Sequence, residues 1–522
     1  MTGSKEYRAM VSTAHPIATE TGINVLRQGG NCVDAAIAVA AVLNVVDMGS
    51  TGVGGDAFAL VFFRKEGKVV GLNASGRAPF EATIEAYKAR GLSFMPESGP
   101  LSITTPGALS GWVMLHERYG TMPFGDLLKP AIKLAKEGFE VSPAISLFIS
   151  LRAETIRQFR ETAEVYLKPS GEPPKPGERL YQENLGRSLE SIATNGASAL
   201  YGGALGSTIA DSVRRAGGFL SRKDFVERPA NWVEPIHISY RGYDVFTIPP
   251  NSQGIALLEM LNIMEGYDAQ KFRENAADLI HLQVEAKKLA FIDRDRFISD
   301  PDFHPAPVAD LLSKRYAVMQ RAHINPVRAA TASANDRTPS GDTTYFCAVD
   351  VEGNAVSFIN SLFHPFGSGM VAGDTGILLQ NRGNSFSLDP GHVNSLRPHK
   401  RPMHTLVPCM VMKSSNPYLA LGCIGGDQQP QGLLQILLNI LDFGMSPQEA
   451  INAPRWRSYD AGKLALESTI GANVVHDLSA RGHILLDEAD FFGGSQCIMF
   501  EEDGSLVGGS DPRLAGCWQG LP

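Results

Sequence analysis

The chain has 522 residues, of which 43% are hydrophobic and 20% are charged. Its length allows two to four domains or one large α/β unit, and its composition is that of a globular protein with a sizeable core. The formal net charge of -8 provides no basic footprint for nucleic acid, and no run of about 18 uncharged apolar residues predicts a membrane span.

The first predicted elements are two helices within residues 17–46, separated by Gly29-Gly30-Asn31. The second helix, VDAAIAVAAVLNVVD, is apolar on most sides and is expected to be buried. A glycine-rich turn, GSTGVGGDAF, and a hairpin with strands ALVFFR and VVGLNA follow. The first residues lack a signal-peptide pattern, so we expect a cytoplasmic protein.

Helices are predicted to dominate residues 105–300. Two examples are DLLKPAIKLAKEG, which Gly138 ends, and AADLIHLQVEAKKLAFIDRDRF. Residues 326–342, PVRAATASANDRTPSGD, lack large apolar side chains other than Val327 and are expected to form a mobile loop or linker.

The last third of the chain is predicted to be sheet covered by helix. The short apolar runs that suggest β-structure are TYFCAV, AVSFIN, MVAG, ILLQN, LVPCMVM and YLALG. The covering helix, QGLLQILLNILDFG, is expected to end at Gly444, and the next helix is expected to start at Ser446-Pro447.

No cofactor or metal site is expected. The six cysteines have no C-x-x-C spacing and are predicted to be buried free thiols, and the twelve histidines lack ligand spacing. Signatures of P-loop nucleotide hydrolases, zinc proteases and α/β-hydrolases are absent from the sequence. GVGGDAF could cradle a phosphate, although such a turn between a helix and a hairpin more often serves packing.

The junction Asp342-Thr343 is unusual, because a polar segment runs directly into a threonine that opens an apolar strand. A hydroxyl group is a poor nucleophile unless a base removes its proton, and the α-amino group of an N-terminal threonine can be that base. Such a nucleophile would require a backbone cut before Thr343. The residues at the junction alone favour a structural role, since paired threonines are common at strand edges.

The whole chain, however, resembles the γ-glutamyltranspeptidase (glutathione hydrolase) family of N-terminal-nucleophile hydrolases. The stretches that carry the resemblance run nearly from end to end: MVSTAHPIATETGINVLRQGGNCVDAAIAVAAVLNVV, GSTGVGGDAFALV, SGRAP, ITTPGALSGW, DRDRFISDPDF, TTYFCAVDVEGNAVSF, FGSGMVAGDTGILLQN, KRPMHTLVP, GCIGG, NAPRW and GSDPR. So many motifs in the right order make the resemblance highly specific.

The resemblance implies an α+β fold, a four-layer αββα sandwich. It also implies an inactive precursor that cuts itself between Asp342 and Thr343. The products would be a large subunit, 1–342, and a small catalytic subunit, 343–522, which remain together and could form a homo-oligomer of the heterodimer.

The resemblance also implies roles for individual residues. Thr343 would be the nucleophile in self-cleavage and in turnover, forming an acyl-enzyme ester that water or an amine resolves. Gly425 and Gly426, in GCIGG, match the backbone oxyanion hole of the family. Ser361 stands where the family usually has a threonine whose hydroxyl contacts the nucleophile.

Three further residues match positions that hold the substrate carboxylate. Arg77, in SGRAP, is interpreted as the arginine that binds this group with two parallel hydrogen bonds. His404 and Thr405, in RPMHTLVP, replace a serine pair. Thr405 keeps a hydroxyl donor, whereas His404 is a departure from the family.

Other departures bear on specificity. Where γ-glutamyl enzymes bind the substrate ammonium, this chain reads QNRGNSF, with Arg382 in place of a glutamine and Ser385 in place of an aspartate. Phe363 replaces an asparagine expected two residues after Ser361. Loss of a carboxylate and gain of a cation should repel an α-amino group.

The sequence therefore predicts a self-processing amidohydrolase that cleaves the amide of a small carboxylate-bearing molecule, with Arg77 and Arg382 on the carboxylate. The oxamate amidohydrolase branch and glutaryl-type acylases are the family examples of such enzymes. The alternatives are a γ-glutamyl hydrolase or transferase acting on glutathione, and an unprocessed binding protein. Neither nucleic acid nor a membrane is an expected partner.

Overall fold

The computed structural model describes residues 6–272, 275–330, 341–487 and 491–522. The α-helices are α1 (Pro16–Arg27), α2 (Cys32–Val46), α3 (Ile84–Lys88), α4 (Ala108–Tyr119), α5 (Phe124–Glu137), α6 (Pro143–Arg157), α7 (Arg160–Tyr166), α8 (Glu183–Asn195), α9 (Ala204–Arg215), α10 (Gly254–Met264), α11 (Ala276–Phe297), α12 (Val308–Leu311), α13 (Lys314–Arg321), α14 (Gln428–Leu441), α15 (Pro447–Asn452) and α16 (Ala472–Ala480).

The strands are β1 (Ala9–Thr13), β2 (Asp56–Phe63), β3 (Lys68–Ala74), β4 (Phe139–Glu140), β5 (Arg179–Leu180), β6 (Asn231–Val233), β7 (Ile236–Tyr240), β8 (Tyr243–Thr247), β9 (Asp342–Val349), β10 (Ala355–Phe363), β11 (Pro408–Lys413), β12 (Asn416–Cys423), β13 (Trp456–Ser458), β14 (Lys463–Leu466), β15 (Ile484–Leu486), β16 (Ser495–Phe500), β17 (Leu506–Ser510) and β18 (Cys517–Leu521). Helices and strands alternate irregularly, so the predicted mixed α and β content is confirmed.

Two large antiparallel sheets dominate the molecule. The seven-stranded sheet has the order β18-β1-β9-β10-β2-β3-β6, and the six-stranded sheet has the order β17-β16-β12-β11-β8-β7. One hydrophobic cluster contains residues of both sheets, including Phe58 and Tyr345 from the first and Met410 and Ile498 from the second. The inner faces of the two sheets therefore share a core.

Helices supply the other two large hydrophobic clusters. Helix α2 is buried along its whole length and packs with residues of β2, β9 and β10. Its Asn31 cap and Asp34 form a capping box, which fixes the start of the helix after Gly29-Gly30. Helices α10, α11 and α14 pack with β11 and β12 in the other cluster. No helix in the described ranges has the length and apolarity needed to cross a bilayer.

Most local predictions are confirmed. The first two helices, the β2–β3 hairpin, the ends at Gly138 and Gly444 and the Ser446 cap lie where the sequence indicated. MVAG and ILLQN are not strands: only Val371 and Leu378 form an isolated bridge. Gly373 and Gly376, both at positive φ, turn the chain between them. The predicted loop falls largely on residues 331–340, which lie outside the described ranges.

Candidate active site

Thr343 lies near the start of β9, an interior strand of the seven-stranded sheet, and is 2% exposed. Its Oγ1 is 2.6 Å from the carbonyl oxygen of Asp342 and 3.2 Å from the Oγ of Ser361. The hydroxyl therefore lies directly against the peptide bond that the sequence predicted to be cut. Attack of this hydroxyl on the preceding carbonyl group remains a prediction.

Ser361 reaches this peptide because of an irregularity in β10. The register with β9 shifts between Asn360 and Phe363, and Phe363 has a φ of 84°. Ser361 Oγ accepts a hydrogen bond from the Phe363 N–H at 2.7 Å and donates one to the Asp342 carbonyl at 2.9 Å. The structure thus brings Ser361 to both the predicted nucleophile, Thr343, and the predicted scissile carbonyl.

Gly425 and Gly426 connect β12 to α14 and have φ values of 113° and 61°. A Cβ added to Gly341 would lie 2.9 Å from the Gly426 nitrogen, so the chain entering the junction packs against this turn. In the described part of the chain, neither glycine N–H donates a hydrogen bond. The Gly426 N–H therefore lies beside the junction, and the role of both glycines as oxyanion donors remains a prediction.

A first polar group, the junction cluster, consists of Asp47, Ser50, Asp342 and Thr344. Ser50 Oγ donates to Asp342 Oδ2 at 2.9 Å, and the Thr344 hydroxyl bonds to Asp47. Loss of hydration and the adjacent Asp342 charge raise the pKa of Asp47 to about 7. Loss of hydration also raises the pKa of Asp342, whose Oδ1 accepts from the Thr343 N–H at 2.8 Å.

A second group, the arginine cluster, consists of Arg382, Ser361, Thr405, Asp56 and His404. Arg382 is fully buried, and its guanidinium donates to Thr405 Oγ1 at 2.9 Å and to Ser361 Oγ at 3.4 Å. Burial lowers the pKa of Arg382 to about 9, with the charge of Asp56 opposing that shift. The Arg382 side chain therefore remains a cation at neutral pH and is linked to the predicted nucleophile, Thr343, through Ser361.

The Arg382 guanidinium also stacks on Phe363, with its central carbon 4.0 Å from the ring centroid. Phe363 and Arg382, which both depart from the family pattern, are therefore in contact with each other.

Asp56 is a member of this site that sequence reasoning missed. Its Oδ1 accepts from the Gly76 N–H at 2.8 Å, and its Oδ2 lies 3.1 Å from His404 Nε2 and 4.0 Å from Arg382 Nε. Burial and the Arg382 charge lower the pKa of His404 to about 4, so this imidazole is neutral at pH 7. An aspartate opening an otherwise apolar strand, in GDAFALV, was the signal that could have identified it.

Ser385 and Arg77 are placed differently from the other predicted residues. Ser385 lies in the same short 3-10 turn as Arg382, and its buried Oγ has no hydrogen-bond partner among the described residues. Arg77 pairs instead with Asp300 at 3.3 Å and Asp302 at 3.1 Å, and donates to the carbonyl of His399 at 3.1 Å. Its predicted contact with substrate remains a prediction, since two carboxylates already hold this guanidinium.

Within the described residues, one group of side chains has donors suited to a metal. The atoms of His281, Glu285 and His483 lie within 4.8 Å of one another. The two imidazoles contact each other at 2.8 Å, and Lys288 donates to Glu285 at 2.6 Å. The ammonium already neutralises the carboxylate, so no cation is needed to account for this arrangement.

Comparisons with known proteins show the family of the chain. Residues 18–520 match the family model described as Gamma-glutamyltranspeptidase. The chain is 39% identical over 525 residues to the glutathione hydrolase-like YwrD proenzyme of Bacillus subtilis (strain 168), covering 98% of each chain. It is 33% identical over 526 residues to the oxamate amidohydrolase proenzyme of Klebsiella pneumoniae, again covering 98% of each.

Among solved structures, the cephalosporin acylase of Bacillus halodurans superposes with a TM-score of 0.93 at 38% identity, over 99% of this chain and 96% of that one. The fold, the buried threonine and these relatives define an amidohydrolase of the N-terminal-nucleophile class. The chain belongs to the γ-glutamyltranspeptidase family.

Proposed function

We propose that this chain is a self-processing amidohydrolase that cleaves the amide bond of small carboxylate-bearing molecules through an acyl ester on Thr343. The observation that carries the proposal is the contact chain from Thr343 through Ser361 to Arg382. It connects a hydroxyl nucleophile to a buried cation. A substrate carboxylate bound by that cation would present its neighbouring amide carbonyl near Thr343.

Self-cleavage would begin with the addition of Thr343 Oγ1 to the carbonyl carbon of Asp342. The Asp342–Thr343 C–N bond then breaks, the threonine nitrogen takes up a proton, and Asp342 remains as an ester on the hydroxyl. Water hydrolyses the ester, which leaves a carboxylate on Asp342 and a free α-amino group on Thr343. The hydrogen bond that the Ser361 hydroxyl donates to the Asp342 carbonyl oxygen supports this step, because it would stabilise the negative charge that develops on that oxygen.

In turnover the free α-amino group of Thr343 would serve as the base for its own hydroxyl. The hydroxyl attacks the substrate amide, ammonia or an amine leaves with a proton, and water releases the acid. Gly425 and Gly426 would supply oxyanion donors, because their N–H groups have no partner in the described part of the chain. We propose hydrolysis as the main reaction.

Specificity for an anion is supported by unused donors in the arginine cluster. Within the described ranges, Arg382 Nε and Ser385 Oγ, three residues further along the chain, are both buried without a hydrogen-bond partner. Unsatisfied buried donors are costly, and a ligand that accepts their hydrogen bonds removes the cost. We therefore assign the substrate carboxylate to Arg382, with Thr405 and Ser385 beside it.

The proposal has three further parts: the layered fold, the boundaries of the two subunits and the cellular location. The shared core between the two sheets, together with helical clusters on their other faces, supports a four-layer αββα sandwich. The subunits after cleavage would be 1–342 and 343–522. All six cysteines are free, five of them buried, which supports a reducing, cytoplasmic location.

A γ-glutamyl hydrolase is the second candidate. Its support is Asp56, a carboxylate beside Arg382 that could face a substrate ammonium. It is also supported by similarity to a protein named glutathione hydrolase-like.

The test is ammonia release by the cleaved wild-type protein from a panel of small amides that carry a carboxylate, including oxamate and glutaramate. A γ-glutamyl anilide is assayed in parallel, and Arg382→Gln is the specificity control. We expect ammonia from the panel, little chromophore from the anilide, and a KM raised at least about tenfold in Arg382→Gln. Equal or greater activity on the anilide would replace the proposal with the γ-glutamyl alternative.

A further inference from the structure

Asp56 is a fully buried carboxylate at the first residue of β2. In the pairing of β2 with β10, it lies directly opposite Ser361. The strand register therefore holds its main chain beside the residue that contacts both Thr343 and Arg382. A single carboxylate, through its two oxygens, then faces the Gly76 N–H, His404 and Arg382.

The charges around this carboxylate show which neighbour balances it. His404 Nδ1 accepts from the Leu406 N–H at 3.4 Å, so Nε2 carries the proton donated to Asp56, and the imidazole is neutral. His364, which also faces Arg382, is neutral too because burial lowers its pKa to about 4. Arg382 therefore supplies the full positive charge nearest to Asp56, at 4.0 Å.

A buried ion pair of this kind is costly to break from one side, because the remaining charge stays in a medium that does not solvate it. At 4.0 Å the pair attracts without a direct hydrogen bond. The guanidinium nitrogens are bonded instead to the hydroxyls of Thr405 and Ser361, and Nε is left without a partner. Nε is the guanidinium nitrogen nearest to Asp56, so the attraction orients the guanidinium with this edge toward the carboxylate.

We propose that Asp56 is the positioning residue of the arginine cluster: its carboxylate holds Arg382 charged and in place for the substrate carboxylate. This inference rests on the proposed function for its kinetic consequence, but the pairing itself can be tested without any substrate. Asp56 does not touch the reacting atoms in this account. It acts through Arg382.

The test compares Asp56→Asn, Arg382→Gln and the double variant, each in the full-length, self-processed protein. With oxamate, or the panel amide turned over fastest, we expect Asp56→Asn to raise KM at least about tenfold while kcat changes less than about threefold. The alkaline limb of kcat/KM should move to lower pH, since Arg382 loses the charge that favours its protonation. Asp56→Glu should restore part of the loss.

In the Arg382→Gln background, Asp56→Asn should change KM less than about twofold, because the residue through which it acts is gone. The proposal would be overturned by an equal effect of Asp56→Asn in both backgrounds. It would also be overturned by an unchanged alkaline limb. A lowered KM would likewise overturn it, since simple removal of a repelling negative charge predicts tighter anion binding.

Stability provides a second readout if Asp56→Asn folds poorly. Removal of both charges should be less damaging than removal of one, so the double variant should recover soluble protein and a higher Tm than Asp56→Asn. A double variant no better than the single one would refute the pairing. Coupled Tm values without turnover of any carboxylate amide would instead refute the proposed function and leave the pairing intact.

Discussion

The junction cluster and the arginine cluster both contact Thr343, but their charges are arranged differently. The junction cluster brings two carboxylates together, Asp47 and Asp342, and raises the pKa of each. The arginine cluster places the carboxylate of Asp56 near a buried guanidinium and a neutral imidazole. One side therefore holds like charges and the other holds opposite charges.

This difference matches two separate tasks. Asp342 belongs to the peptide that we propose is cut, so the repulsion in the junction cluster exists in the precursor. We propose that the cut frees Asp342 to move away from Asp47, which would relieve this repulsion. The residues of the arginine cluster lie on other segments and remain after the cut. The first cluster thus suits a single processing event, and the second suits repeated recognition of an anion.

The largest effect is expected for Thr343→Ala. Without the hydroxyl, no ester can form, so the protein should remain a single chain of 56.2 kDa and should lose amidase activity by at least about a thousandfold. A denaturing gel and the ammonia assay measure the two outcomes. Thr344→Ala is the matched control, since its hydroxyl contacts Asp47 and not the predicted scissile carbonyl. Cleavage at the same junction in Thr343→Ala would refute the assignment.

A smaller effect is expected from neutralising the junction cluster with Asp47→Asn in the uncleaved Thr343→Ala protein. The folded state binds the Asp47 proton more tightly than the unfolded state does, so stability falls as pH rises from about 4 to about 7. The asparagine cannot ionise. The Tm of the Asp47→Asn, Thr343→Ala protein minus the Tm of the Thr343→Ala protein should therefore increase between pH 5 and pH 8, by about 2 °C or more.

The same substitution in the cleaved protein should give a smaller rise, because we propose that Asp342 moves away from Asp47 once the peptide bond to Thr343 is cut. A Tm advantage that is independent of pH would show that Asp47 does not carry the titration. An equal rise before and after cleavage would show that Asp342 does not contribute to it.

Local sequence signals predicted the elements and part of the site. The end of α5 at Gly138 and the Ser446 cap depend on neighbouring residues. The prediction for Thr343 came from the resemblance of the whole chain, since the junction residues alone favoured a structural role. Asp56 was missed because its role depends on the β2–β10 register and on Arg382, more than 300 residues away. The sequence also did not predict the ion pairs of Arg77, because its partners, Asp300 and Asp302, are more than 200 residues away along the chain.

The smallest effect on activity is expected for Arg77→Gln, which separates the two arginines proposed from the sequence. Arg77 pairs with the buried Asp300 and the exposed Asp302, so its loss should lower stability by about 1 to 3 kcal/mol, because the Asp300 carboxylate stays buried without this cation. It should change KM for a carboxylate amide less than about threefold. Arg382→Gln, measured beside it, should raise KM at least about tenfold. Urea unfolding and steady-state kinetics give the two numbers. A tenfold rise in KM for Arg77→Gln would return Arg77 to the substrate site, and would mean that its carboxylate partners yield to the ligand.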